Sequence, residues 1–101
     1  MHKMIFRPED TAAYINGEVN VKMLIENANN SVRIMAFDEQ RQIPEHKVTT
    51  HACVYVLEGM IDFTLDGKTY SLSQREMLII PPEVPHSVFA KMRSKMMLVR
   101  L

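Results

Sequence analysis

Short runs of β-branched and apolar residues, each closed by turn-forming residues, recur along the chain from about residue 20 onward, a pattern that belongs to strands rather than helices. Val21 to Glu26 is the first run. Asn27-Ala28-Asn29-Asn30-Ser31, rich in residues that tolerate a left-handed backbone, separates it from Val32 to Phe37, and the spacing predicts a hairpin. Val54 to Leu57 is apolar at every position, as expected of a strand buried on both faces; Glu58-Gly59 then turns the chain into Ile61, Phe63 and Leu65 alternating with Asp62 and Thr64, a second predicted hairpin. Asp66-Gly67 is the pair a tight primed turn needs, because both central residues take positive φ, and Lys68 to Leu72 extends the hairpin into a three-stranded meander. Met77 to Ile80 stops at Pro81-Pro82, His86 to Ala90 follows, and Met96 to Leu101 ends the pattern. Arg7 to Asp10 reads as loop, with one helical turn expected near Thr11 to Tyr14. About eight short antiparallel strands must bury their apolar faces on one another, which predicts an all-β sandwich or barrel. The alternation alone leaves an immunoglobulin-like sandwich and a jelly roll both open.

Composition narrows the function classes. With 101 residues the chain is expected to form one domain over residues 1–101. Lys+Arg and Asp+Glu balance at 12 each, so there is no basic field for nucleic acid and no acidic tail for a cationic partner. The lone Cys53 excludes an internal disulfide and is expected to be an inert packing thiol. Met1-His2-Lys3-Met4-Ile5-Phe6-Arg7-Pro8 lacks the apolar run of a signal peptide. The longest apolar runs, Ala52 to Leu57 and Met77 to Pro82, are far short of the roughly 20 residues of a membrane helix. The expected location is cytoplasmic, with no membrane and no nucleic-acid partner.

Two stretches carry a family resemblance. Pro44-Glu45-His46-Lys47-Val48-Thr49-Thr50-His51-Ala52-Cys53-Val54-Tyr55-Val56-Leu57-Glu58-Gly59 resembles the first motif of the cupin superfamily, which spans about residues 40–59, and its closing Tyr-Val-Leu-Glu-Gly is the most distinctive part. Met77-Leu78-Ile79-Ile80-Pro81-Pro82-Glu83-Val84-Pro85-His86 resembles the second, spanning about residues 75–90, with Pro81 and His86 on matching positions. The resemblance implies an antiparallel jelly-roll β-barrel. It also implies a site inside that barrel, where metal-binding cupins use three histidines and a glutamate to hold iron, manganese, nickel, zinc or copper. Counted from Gly59, this chain keeps His46 but has Val48 and Ala52 where the second histidine and the glutamate would stand; the motif glycines fall on Gln40, Arg75 and Glu83, and the asparagine on Ala90.

Two histidines make a weak metal site, since stable first-row sites have three or more protein ligands. The candidate set is therefore His46, His86 and His51. On an ideal strand His46, Val48, Ala52 and Val54 share one face, while His51, Cys53 and Tyr55 share the other. A bulge between Lys47 and Thr50 would be needed to bring His51 inside. Glu45 is a possible surface partner for His46 or Lys47. The nine methionines, among them Met23, Met35, Met60, Met77, Met92, Met96 and Met97, are expected in the core and in a flexible cavity wall suited to an apolar small molecule. Three functions follow: a metal-dependent oxygenase or isomerase, a metal-free enzyme in which His46 or His86 moves a proton, and a non-catalytic sensor or binding module. Because Ala52 to Leu57 is apolar on both faces, and small cupins resemble one another in pairing through a sheet face or exchanged N-terminal strands, a homodimer is expected.

Overall fold

A computed structural model describes residues 4–101. Of the stretch Met1 to Pro8, read as lacking a signal peptide's apolar run, residues 1–3 lie outside the described residues. Nine strands form among them: β1 (Val19–Asn27), β2 (Asn30–Phe37), β3 (Arg41–His46), β4 (Ala52–Glu58), β5 (Met60–Leu65), β6 (Lys68–Ser73), β7 (Met77–Ile80), β8 (His86–Ala90) and β9 (Ser94–Arg100). One sheet has the order β1-β2-β9-β4-β7 and the other β3-β8-β5-β6, with every pair antiparallel. This is the predicted all-β jelly roll. The core lies between the sheets, where Phe37, Val54, Val56, Ile61, Phe63, Ile80 and Met96 are essentially shut off from water.

The structure corrects three local expectations. β4 and β5 do not pair: β4 lies between β9 and β7, β5 between β8 and β6, so Glu58-Gly59 is a corner between sheets and only β5–β6 is a hairpin. A strand apolar on both faces cannot be an exposed member of a meander; it lies in the interior of a sheet whose outer side is also apolar. The stretch from His46 to Val54 is not one strand either, because residues 47–51 carry the chain from the edge strand β3 across to β4. Pro44 sits in β3, at a sheet edge, where its missing N–H breaks no interior ladder. Finally, the helical turn comes earlier than Thr11, as a 3-10 turn at Pro8–Asp10.

Turns follow the residues closely. Asp66 and Gly67 both have positive φ (48° and 83°), as the predicted primed turn requires. The β1–β2 hairpin closes more tightly than expected, with Asn27 opposite Asn30 and Ala28 left-handed at φ 55°.

Candidate functional site at the open end of the barrel

Inner-face positions along the strands decide what reaches the barrel interior. At one end Phe37, Val56, Ile61 and Ala90, all 0% exposed, pack the space shut. The other end is open, and there His46 and His86 stand opposite one another across β3 and β8. Their ring centroids are 4.3 Å apart with planes inclined at 58°. Each ring is held in the same way: His46 Nδ1 lies 2.9 Å from the Pro44 carbonyl, and His86 Nδ1 lies 2.9 Å from the Val84 carbonyl. A carbonyl only accepts, so both Nδ1 atoms carry the proton and both Nε2 atoms keep a lone pair for a ligand. His86 is only 6% exposed. Burial pushes its pKa below the usual histidine value, and the charges of His46 and Arg100 push the same way, against the Val84 hydrogen bond.

These imidazoles border a cavity of about 90 Å³ between the sheets, walled by Met35, Val54, Phe63, Val88 and Leu98. That is smaller than the ~150 Å³ that accommodates benzene in an engineered core, so the enclosed part of a ligand is a few heavy atoms in size. Outside it lies a polar vestibule of about 420 Å³, formed by the β1–β2 turn and residues 48–50; the two spaces share Val48 and Arg100. Arg33 also lines the inner cavity. Neither arginine was singled out from the sequence. Counting by twos from Phe37 and Met35 reaches Arg33, and from Met96 and Leu98 reaches Arg100, so the signal existed once the inward phase was known. β2 is apolar on both faces, and its phase was therefore illegible.

The other candidates lie elsewhere. His51 is exposed, with its backbone N–H and carbonyl paired to Leu101, and it lines neither the cavity nor the vestibule. No bulge turns it inward. Val48, Ala52 and Val54 do line the cavity, in the expected phase. Glu45 is exposed, and Lys47 pairs with Glu83 at 3.7 Å instead. Of the methionines, Met35 and Met96 line the cavity, whereas Met23, Met60, Met77 and Met92 are exposed and Met97 packs in a second cluster on the outer side. Cys53 is half-buried on the outer face of the five-stranded sheet, between Val99 and Ile79.

A family model described as "Cupin domain" matches residues 33–99. The chain belongs to the cupin family. Among solved structures, this cupin resembles a conserved protein of unknown function from Streptococcus pyogenes, with a TM-score of 0.93 at 20% identity over 100% of this chain and 89% of that chain. It also resembles a cupin 2 conserved barrel domain protein from Leptotrichia buccalis, with a TM-score of 0.91 at 28% identity over 95% of this chain and 47% of that one. A cupin superfamily protein from Desulfitobacterium hafniense gives 0.85 at 19% identity, over 88% and 82% of the two chains. At such identities these likenesses speak for the fold. No curated protein matches the chain.

Cupin barrels often hold metals, and the donor set of this cupin does not fit one. Among the described residues no group of three or more His, Cys, Asp or Glu side chains is placed to hold an ion. The two positions that would complete the ligand set, Val48 and Ala52, present carbon to the cavity, and Arg33 and Arg100 line the same cavity. A divalent ion would have two nitrogen ligands and two like-charged neighbours, a poor balance against its loss of hydration.

Proposed function

We propose that this cupin is a metal-free protein that holds a small molecule in its barrel mouth, where His46 and His86 transfer a proton in an isomerase- or epimerase-type reaction. The observation that carries this reading is the shared tautomer of the pair. Both Nδ1–H groups are engaged by backbone carbonyls, both Nε2 atoms are free, and the rings are 4.3 Å apart beside an apolar cavity. His86, held neutral by burial, is a base that accepts a proton at Nε2 from the ligand. The imidazolium so formed returns the proton to a neighbouring ligand atom, either directly or by way of His46, so no oxidant or cofactor is consumed. The apolar walls keep bulk water from competing for the proton.

The test uses full-length untagged protein with ¹⁵N-labelled histidines and a panel of small organic fragments in D₂O. Bound fragments should shift the His46 and His86 ring signals, and a substrate should exchange a carbon-bound proton for deuterium, an exchange lost in His86→Ala. Chelator should leave binding intact. Binding that disappears with chelator and returns with a divalent ion would overturn the metal-free reading. Ring shifts without exchange across the panel would reduce the protein to a binding module.

A further inference from the structure

The histidines mark where a small molecule sits, and the remaining polar groups at the mouth say what kind of molecule it is. Arg33 and Arg100 reach the inner face from adjacent strands, β2 and β9. No Asp or Glu lines the inner cavity, and the exposed Glu26 is the one acid among the residues lining the vestibule. Neither arginine takes part in a salt bridge among the described residues. Arg33 Nη2 lies 3.4 Å from Ser31 Oγ, at the long limit of a hydrogen bond. Burial, and after it the charge of Arg33, push the Arg100 pKa below its ordinary value.

Across the described residues, three buried side-chain polar atoms have no hydrogen-bond partner: Arg33 Nε, Arg100 Nε and Thr50 Oγ1. All three belong to residues that line the cavity or its vestibule. Buried donors in folded proteins are paired with few exceptions, so three orphans around one opening, two of them cationic, single that opening out as one that takes a hydrogen-bond acceptor.

We propose that this acceptor is the carboxylate of a small organic acid, whose charged group lies against Arg33 and Arg100 while its apolar body enters the barrel beside His46 and His86. The inference rests on the reading of the barrel mouth as a ligand site and adds the ligand's class. A carboxylate suits two guanidinium groups because its four lone-pair positions accept the paired donors of a planar fork. The enclosed volume of about 90 Å³ suits a short carbon body. The mouth offers no helix N-terminus of the kind that helps carry a phosphate's second charge. If the arginines served the fold instead, they would be expected to have partners within it.

The test pairs short-chain acids (propionate, isovalerate, hexanoate) with their amides, which match them in shape and lack the charge. Calorimetry gives affinity, and the His46 and His86 ring signals report the location. An acid is expected to bind at the histidines at least tenfold more tightly than its amide. Arg33→Met and Arg100→Met should each weaken it at least tenfold, while Arg33→Lys retains part of the affinity. The ligand-free Met variants should melt no lower than wild type, because each loses an uncompensated charge and keeps the packing of the side-chain stem. An acid and its amide binding equally at the histidines would overturn the carboxylate proposal and leave the barrel reading standing. Propyl phosphate binding more tightly than any acid, or Met variants that melt well below wild type, would also overturn it. Ring signals unmoved by every compound would overturn both readings.

Discussion

Gln40, Arg75 and Glu83 hold left-handed backbone, with φ of 65°, 72° and 67°, at the three positions where the family motifs have glycine. The turn geometry has been kept and the residue that makes it easy has not. Each backbone N–H is nonetheless used, Gln40 to the Ala90 carbonyl at 2.7 Å, Arg75 to Val56 at 2.9 Å and Glu83 to Val48 at 2.8 Å, so the ladder around each turn holds the strain in place. A left-handed L-residue costs about 1–2 kcal/mol, partly offset because glycine gives the unfolded chain more freedom. Arg75→Gly is therefore expected to stabilise the protein by up to about 1 kcal/mol, read as a higher urea midpoint; a lower midpoint would mean that the arginine side chain compensates for its backbone. His86 gives the second expectation at this scale. Its folded pKa lies below the unfolded value, so the unfolded chain takes up a proton at a pH where the folded one does not. Stability from this site is whole above about pH 6.5 and falls as pH drops below it toward the folded pKa. Urea midpoints between pH 8 and 5 should decline, and more gently in His86→Asn. Equal slopes would remove His86 as the cause.

Among the elements, the corner from β4 to β5 bears the tightest constraint. Gly59 has φ 83°, and a Cβ there would be driven into Ser94 Oγ and to 2.5 Å from the Arg93 carbonyl. Ser94 is fully buried and ties the corner to β9: its hydroxyl accepts from the Met60 N–H at 3.0 Å and lies 2.9 Å from the Met92 carbonyl. Gly67 has the same φ of 83° with nothing within 4 Å of the position, so it isolates the conformational cost. Gly67→Ala is expected to cost about 1 kcal/mol, whereas Gly59→Ala should cost about 3 kcal/mol or more because backbone strain and overlap add. Chemical unfolding of the two variants compares them directly, and similar losses would show that the corner yields. The N-terminal segment is clipped on by a different device. Asp38 accepts from the Gly17 N–H at 2.6 Å and from Arg93 at 2.9 Å, while Arg93 reaches Asn16 at 2.7 Å; these bonds, the Gly17 one foremost, hold the Asp38 pKa at about 2.

For the whole molecule, the outer side of the five-stranded sheet is the feature that one barrel leaves uncovered. Register places Ile25, Val32, Val99, Cys53 and Ile79 side by side, an apolar rung across all five strands. Ala12 and Tyr14 from the N-terminal segment cover the neighbouring part of this face, around Ile34 and Ala36. Ile25 and Ile79 remain 61% and 62% exposed. A patch of this kind marks an interaction surface, and its match to the expected homodimer gives the prediction: sedimentation should return twice 11.7 kDa at micromolar concentration. Ile25→Lys with Ile79→Lys should return the monomer with its strand content unchanged. A wild-type monomer would refute the dimer. No helix among the described residues is long and apolar enough to cross a membrane.

Legible in the sequence were eight of the nine strands, the Asp66-Gly67 turn, the jelly roll through its two motifs, and the inward placement of His46, Val48, Ala52 and His86; β3, whose Arg41-Gln42-Ile43-Pro44-Glu45-His46 is mostly polar and carries a proline, was not. The strands and the turn depend on local chemistry, period-two alternation and residues that accept positive φ, whereas the jelly roll and the inward histidines followed from the likeness of two motifs to the cupin family. Tertiary structure alone decided that β4 and β5 part into different sheets, because a turn dipeptide does not say which edge the next strand joins. It also decided that His51 faces outward, since the direction of a side chain after a loop depends on where the chain rejoins a sheet. The arginines at the mouth were hidden for a related reason. In β2 both faces are apolar, so the pattern could not say which one Arg33 shares; the register against β9 settled it and brought Arg100 to the same opening.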